Sequence, residues 1–140
     1  MIEYANENDL GGILKLDKHI NEKVLQKKIQ VHEVYIIKEN ATIIGTLRYS
    51  LFWDNMPFLN MLYIHDKYHK NGLGSSLLGF WEQEMKMLNY SCVMTSTQAN
   101  ENAQHFFRKH AYIDIGGFVL PNEPLEIILF KKFGLSTTST

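Results

Sequence analysis

Leu62-Tyr63-Ile64-His65-Asp66-Lys67-Tyr68-His69-Lys70-Asn71-Gly72-Leu73-Gly74-Ser75 reads as an apolar strand running through a glycine turn into a helix. Strand residues end near Ile64 or His65, and helical periodicity starts near Gly74, with Leu77, Trp81, Met85 and Leu88 on one stripe. Gly72 and Gly74 flank Leu73, and glycine lets the backbone turn tightly and approach a ligand without a Cβ in the way. The first amides of such a helix, at about Leu73 to Ser76, lack intrahelical partners and sit at the positive end of its dipole. A phosphate placed there supplies the missing acceptors. The stretch therefore reads as a pyrophosphate cradle, with a plain strand-to-helix turn as the alternative.

Other phosphate motifs fail residue by residue. A nucleotide P-loop needs Gly-Lys-Ser/Thr at the helix start, whereas Gly74 is followed by Ser75 and Ser76. A dinucleotide fold wants a third glycine where Leu77 stands, and a carboxylate near the end of the next strand, which instead closes on Thr95-Ser96-Thr97.

A second stretch, Asn100-Glu101-Asn102-Ala103-Gln104-His105-Phe106-Phe107-Arg108-Lys109-His110-Ala111-Tyr112, follows a strand and reads as a short helix begun by an asparagine cap. The two stretches, in this order, resemble the GNAT superfamily of coenzyme A-dependent N-acetyltransferases over nearly the whole chain. The family's first motif, Leu-x-Val-x-Pro-x-Tyr-Arg/Gln-x-x-Gly-x-Gly/Ala, is matched by Leu62, Ile64, Tyr68, Gly72 and Gly74, with Asp66 in place of Pro and His69 in place of Arg or Gln. Its second, Asn-x-x-Ala-x-x-Phe-Tyr-x-x-x-Gly-Phe, is matched by Asn100, Ala103 and Phe106, whereas Phe107, Ala111 and Tyr112 depart from it.

The resemblance implies an α/β (α+β) fold: a mixed, mostly antiparallel central sheet of about six to seven strands flanked by about four helices. It implies acetyl coenzyme A as co-substrate, held along Leu62, Tyr63 and Ile64 and by His69, Lys70, Asn71, Gly72, Leu73, Gly74 and Ser75. Asn100 would hydrogen-bond the pantetheine arm, with Ala103, Phe106 and Phe107 beside it. Arg108 and Lys109 are candidates for the 3'-phosphate, with plain helix C-terminal charge as the alternative.

Composition fits a single domain over 1–135 with a flexible tail at 136–140, Ser136-Thr137-Thr138-Ser139-Thr140. Hydrophobic residues at 45% and charged ones at 21% are ordinary for a soluble globular chain. A net charge of -1 argues against a nucleic-acid surface. Cys92, the single cysteine, falls in an apolar strand, where packing is the expectation. Without a basic leader or a run of membrane-spanning length, the expected location is the cytoplasm. His65, Asp66 and His69 read as polar loop residues, and no metal is expected.

Along the chain, Met1 to Ala5 reads as a strand, and Asn8 or Asp9 as the cap of a helix with Leu10, Ile13 and Leu14 inward. A second helix from Asn21 turns Val24, Leu25 and Ile29 inward. In the family this region, with Asp17-Lys18-His19-Ile20 between the helices, forms one wall of the acceptor site. Val34 to Lys38, Ala41 to Trp53 and Phe58 to Ile64 form an antiparallel meander, turned at Glu39-Asn40 and at Asp54 to Pro57. Ser91 to Ser96 follows a crossover helix and should pair parallel to Phe58–Ile64, the two diverging into a wedge. Tyr112 to Val119 and Leu125 to Phe133 close the sheet as a hairpin.

Acetyl transfer needs an acceptor for the amine's proton, since a lysine-like amine with a pKa of about 10.4 is mostly protonated at neutral pH. The family often places a Glu on the strand before the glycine turn, but here the strand face of Leu62 and Ile64 offers Asn60 and Phe58. His65, Asp54 and a water held by Asn60 are the candidates, with Glu33 behind them. Many family members protonate the leaving thiolate with a Tyr where this chain has Phe107. The sequence thus supports an N-acetyltransferase acting on a small-molecule or peptide amine by direct attack in a ternary complex. The alternative is a degenerate module that binds coenzyme A or an acyl-thioester as a sensor. Trp53, Met56 and Phe58 are candidates for an acceptor pocket or for dimer packing, so a homodimer stays open.

Overall fold

The computed structural model describes residues 1–134; the expectations for the Lys70 side chain and for the tail at 136–140 lie outside the described residues. In chain order the elements are β1 (Ile2–Tyr4), α1 (Leu10–Leu16), α2 (Glu22–Gln30), β2 (Val34–Glu39), β3 (Thr42–Phe52), β4 (Met56–Ile64), α3 (Leu73–Met87), β5 (Cys92–Gln98), α4 (Ala103–Lys109), β6 (Ile113–Phe118) and β7 (Glu126–Lys132). Short 3-10 turns occupy Glu7–Asp9 and Asp66–Asn71. The strands form a seven-stranded sheet in the order β1-β2-β3-β4-β5-β7-β6. Pairs β1–β2, β2–β3, β5–β7 and β6–β7 are antiparallel and β4–β5 is parallel, so the sheet is mixed and mostly antiparallel as expected.

The chain forms two compact units, Met1–Ser50 with Asn60–Glu84 and Leu51–Leu59 with Met85–Thr140. In the first, β2 and β3 carry the core. Val34 faces Arg48, Tyr35 faces Leu47 and Ile36 faces Thr46, and successive residues alternate between the faces of the sheet. On one face Val34 and Ile36 join Ala5, Ile13, Leu25 and Ile29 beneath α1 and α2. On the other, Tyr35 meets Phe80 and Tyr49 meets Trp81, each with ring centroids 5.7 Å apart, which seats α3. Leu77, Leu78 and Trp81 are fully buried there, each contributing roughly 1.5–3 kcal/mol relative to an exposed side chain.

Three sequence expectations shift, two in this unit and the third, Leu88, in the other. Asp9 stands at the N-cap position of α1, one of the two residues expected there, but makes no capping bond to it; the side-chain cap is at Asn6, ahead of the 3-10 turn, which accepts from Asn8 N at 2.8 Å while Asp9 accepts from Asn6 N at 2.8 Å. Val24 is exposed because Leu25 and Ile29, one turn apart, define the inward face of α2. Leu88 is exposed because α3 ends at Met87 and Asn89 turns left-handed with φ 70°. Asn21 caps α2 as expected, accepting from Lys23 N at 2.8 Å and from Val24 N at 3.4 Å.

In the second unit, β5 and β7 pair from Cys92↔Lys132 through Gln98↔Glu126, with β6 on the outer side of β7. Phe58 and Leu59 pair in parallel with Met94 and Thr95, and Thr95 Oγ1 donates to Leu59 O at 3.0 Å. The parallel crossover expected from the sequence is therefore present. Against α4, Phe107 and Tyr112 are buried edge to face with centroids 5.3 Å apart. No described helix is long and apolar enough to cross a membrane.

Candidate active site

The strand–glycine turn–helix is present, with a 3-10 turn between strand and glycine. His65 N donates to Ile44 O at 2.8 Å and ends β4. His65 then caps the turn, its Nδ1 accepting from Lys67 N at 3.2 Å and its carbonyl from Tyr68 N at 2.8 Å. Gly72 follows with φ 72° and ψ 12°, a left-handed conformation costing an L side chain about 1–2 kcal/mol. From there α3 starts at Leu73, and Ser76 N closes on Gly72 O at 3.1 Å. The amides ahead of that bond point out of the helix N-terminus, where the dipole favours an anion.

The histidines of the turn are committed to main chain. His69 Nε2 lies 2.6 Å from Ile64 O, a contact in which the ring donates, and 3.4 Å from Asp66 Oδ1. It has a second N–H for a phosphate only as imidazolium. Its position therefore braces the turn against the end of β4. With its Nδ1 accepting, neutral His65 carries its proton on Nε2, which makes it a donor in this geometry.

Asn60 is exposed, and its Nδ2 donates to Ser50 Oγ at 2.9 Å, so the atom Asn60 offers as an acceptor is its Oδ1. Asn60 and His65 thus lie in the same unit as the glycine turn, with Leu62, Tyr63, Ile64, Asn71 and Ser75. Glu33 is paired with Lys28 at 3.0 Å. Asp54 belongs to the second unit, in the left-handed β3–β4 turn with φ 62°, beside the exposed Trp53.

The second motif lies wholly in the second unit. The helix cap falls at Asn102, two residues beyond the expected Asn100, and its side chain makes no capping bond. The turn is held instead by Gln104 Nε2, which donates to Ala99 O and Glu101 O at 2.8 Å, and by Glu101 Oε1, which accepts from Gln98 N at 3.1 Å. Asn100 is thereby relieved of capping. Ala103 opens α4, Phe106 stacks on His110 with centroids 4.5 Å apart, and Phe107 is buried between Phe106 and Tyr112. Arg108 forks onto Asp114 at 2.9 and 2.8 Å and donates to Gln104 at 2.9 Å, so its guanidinium already has a structural anion. That pairing holds the Asp114 carboxyl below its ordinary range, first through the Arg108 hydrogen bonds.

Among the described residues no group of three His, Cys, Asp or Glu side chains is placed to hold a metal. A cavity of about 620 Å³ in the first unit is lined by Lys15, Lys38, Thr42, Ile43 and His65 among others, and shares only His65 with the candidate catalytic and cofactor-binding residues read from the sequence. Sequence reading named Asp17 only as part of the segment between the helices and missed its buried pair with Arg48, on the Ser50 face of β3, joined Nε to Oδ2 at 2.6 Å. The available signal was an arginine as the one charged residue in the strand run from Ile43 to Phe52.

The family model described as Acetyltransferase (GNAT) family matches residues 7–112. The chain belongs to this acetyltransferase family. An amino-acid acetyltransferase of Buchnera aphidicola subsp. Schizaphis graminum is 24% identical over 139 residues, covering 94% of this chain and 31% of that protein. The chain thus spans about a third of the length of the curated relatives it matches. Ard1 from Thermoplasma volcanium superposes with a TM-score of 0.87 at 9% identity, over 96% of this chain and 98% of that one, a likeness of fold. A GNAT-family acetyltransferase from Bacillus cereus ATCC 10987 gives 0.78 at 26% identity, over 96% and 98%.

Proposed function

We propose that the chain moves the acetyl group of acetyl coenzyme A to a primary amine of a small molecule or peptide, by direct attack in a ternary complex within one domain over 1–135. The observation that carries the reading is the left-handed Gly72 leading from the end of β4 into the N-terminus of α3. Main-chain amides from His69 to Ser75 take the pyrophosphate oxygens, and the main chain of Leu62, Tyr63 and Ile64 takes the pantetheine arm. An amide at Tyr63 or Ile64 polarises the thioester carbonyl and holds the oxyanion. Asn60 Oδ1 orients the amine or a water that removes its proton; His65, donating in this geometry, ranks behind it, and Asp54 behind both. An amino-acid α-amine is the first acceptor to try, given the name of the Buchnera relative.

Phe107 supplies no proton to the departing thiolate. General acid help is worth roughly 10²- to 10⁴-fold, whereas holding the reactants together yields effective molarities of about 10⁵–10⁸ M. A thiol of pKa about 8.5 also leaves tolerably unaided. The reaction is therefore slowed, not abolished.

Coenzyme A release measured with a panel of amino acids, peptides, polyamines and aminoglycosides tests the reading. Acceptor-dependent thiol release supports it, and its absence from folded protein across the panel overturns it. The second reading, a non-catalytic module that binds coenzyme A, is favoured by Asn60 and Phe107, neither of which can accept or give the required proton. It predicts binding without thiol release.

A further inference from the structure

We infer that Arg48 is a positioning residue for the acceptor amine, acting through the α1–α2 connection; the inference rests on the acetyltransfer reading. Arg48 and Ser50, two apart on β3, point to the same face of the sheet. Ser50 is the partner of Asn60, with Asn60 Nδ2 donating to its Oγ at 2.9 Å. From the same face Arg48 Nε donates to Asp17 Oδ2 at 2.6 Å, and Nη2 donates to His19 O at 3.4 Å. Asp17 Oδ1 in turn accepts from His19 N at 3.0 Å. The connection is thus gripped at one side chain and at both main-chain polar groups of His19.

The pair is deeply placed, with side-chain exposures of 10% for Arg48 and 0% for Asp17. Stability alone does not account for it. Desolvating two charges consumes most of their attraction, and an apolar pair of similar volume is often as stable or more so, although removing one partner alone is strongly destabilising. What an apolar pair lacks is direction. The three bonds fix Asp17 in an extended conformation, φ -100° and ψ 106°, where α1 ends. On the next β3 residue, Lys28 of α2 donates to Tyr49 O and pairs with Glu33 at 3.0 Å. Both helices flanking the connection are therefore tied to adjacent residues of β3. Two strand residues span roughly 6.6 Å, so the connection is anchored within one side chain's reach of the Ser50–Asn60 pair. Arg48 touches neither reactant in this account; it sets the distance between the 17–20 segment and the amine aligned at Asn60.

The test uses Asp17→Leu/Arg48→Met, which leaves no buried unpaired charge, with Arg48→Lys as a milder companion. Amide exchange reads the connection directly, and steady-state kinetics with the best acceptor of the wild-type panel reads the consequence. In the double variant, exchange over 17–20 should rise about tenfold while α3 is unchanged, and acceptor KM should rise about tenfold, or about 1.4 kcal/mol. The KM for acetyl coenzyme A should stay within about twofold, since the glycine turn does not touch the pair. Arg48→Lys, which keeps charge but loses the fork, should fall between. Unchanged exchange over 17–20 overturns the inference, as does an unmoved acceptor KM when exchange has risen. A wild type without turnover overturns the acetyltransfer reading and the inference together, whereas an active wild type with an indifferent variant overturns the inference alone.

Discussion

Single residues decide whether this turn can hold an anion and whether the chemistry has an acid. Gly72 at φ 72° tolerates no L side chain without strain, so Gly72→Val should lower Tm by an amount equivalent to about 1–2 kcal/mol and weaken acetyl coenzyme A. Gly74→Val, at the second position of α3, should leave the protein folded by circular dichroism while abolishing cofactor binding by calorimetry. Retained affinity would mean that the anion is not held at that backbone. Phe107→Tyr should raise turnover by up to about 10²-fold if a missing acid limits the rate. An unchanged kcat would show that thiolate protonation is not limiting. The Arg108–Asp114 fork makes a pH prediction. Because the folded Asp114 carboxyl lies below its usual value, the pair's contribution is complete above the unfolded pKa of about 3.9 and fades as pH falls through the lower folded value. A carboxyl NMR titration of Asp114 with an ordinary midpoint would contradict this. The residue-level features that escaped sequence reading share one cause: their partners are brought in by tertiary structure. Arg48 meets Asp17 across 31 positions, and the folding of the turn brings His69 Nε2 onto the Ile64 carbonyl at the end of β4, where sequence alone offers it to a phosphate.

At the scale of elements, local patterns were legible wherever one residue type had one possible job. The stripe Leu77, Trp81 and Met85 specified α3, alternation and β-formers specified β4 and β5, and their crossover required the parallel pairing found at Phe58↔Met94. Caps were less legible where several candidates lay together. Asn6, Asn8 and Asp9 can each cap a helix, and so can Asn100 and Asn102, so the choice fell to which side chain reached which amide. Asn21 had no such rival, and it supplies an element-scale prediction. Asn21→Ala removes the acceptor for Lys23 N and should cost about 1 kcal/mol in chemical denaturation, without changing the m-value. A loss below about 0.3 kcal/mol would show that packing of Leu25 and Ile29, not the cap, fixes where α2 begins.

For the molecule as a whole, family membership and the mixed sheet follow from the match over residues 7–112 and the strand order, while the acceptor is what the sequence leaves unspecified. In the proposed function, cofactor recognition would reuse backbone geometry set by the glycine turn, whereas the family resemblance assigns one wall of the acceptor site to α1, α2 and their connection, which carry no motif spacing of their own. A cradle of main-chain amides should bind coenzyme A and acetyl coenzyme A alike, because both present the same pyrophosphate. Isothermal titration of the folded wild-type chain with each therefore bears most directly on the account. Saturable heat with both ligands, lost in Gly74→Val, is the predicted result; no heat with either from well-folded protein would contradict it.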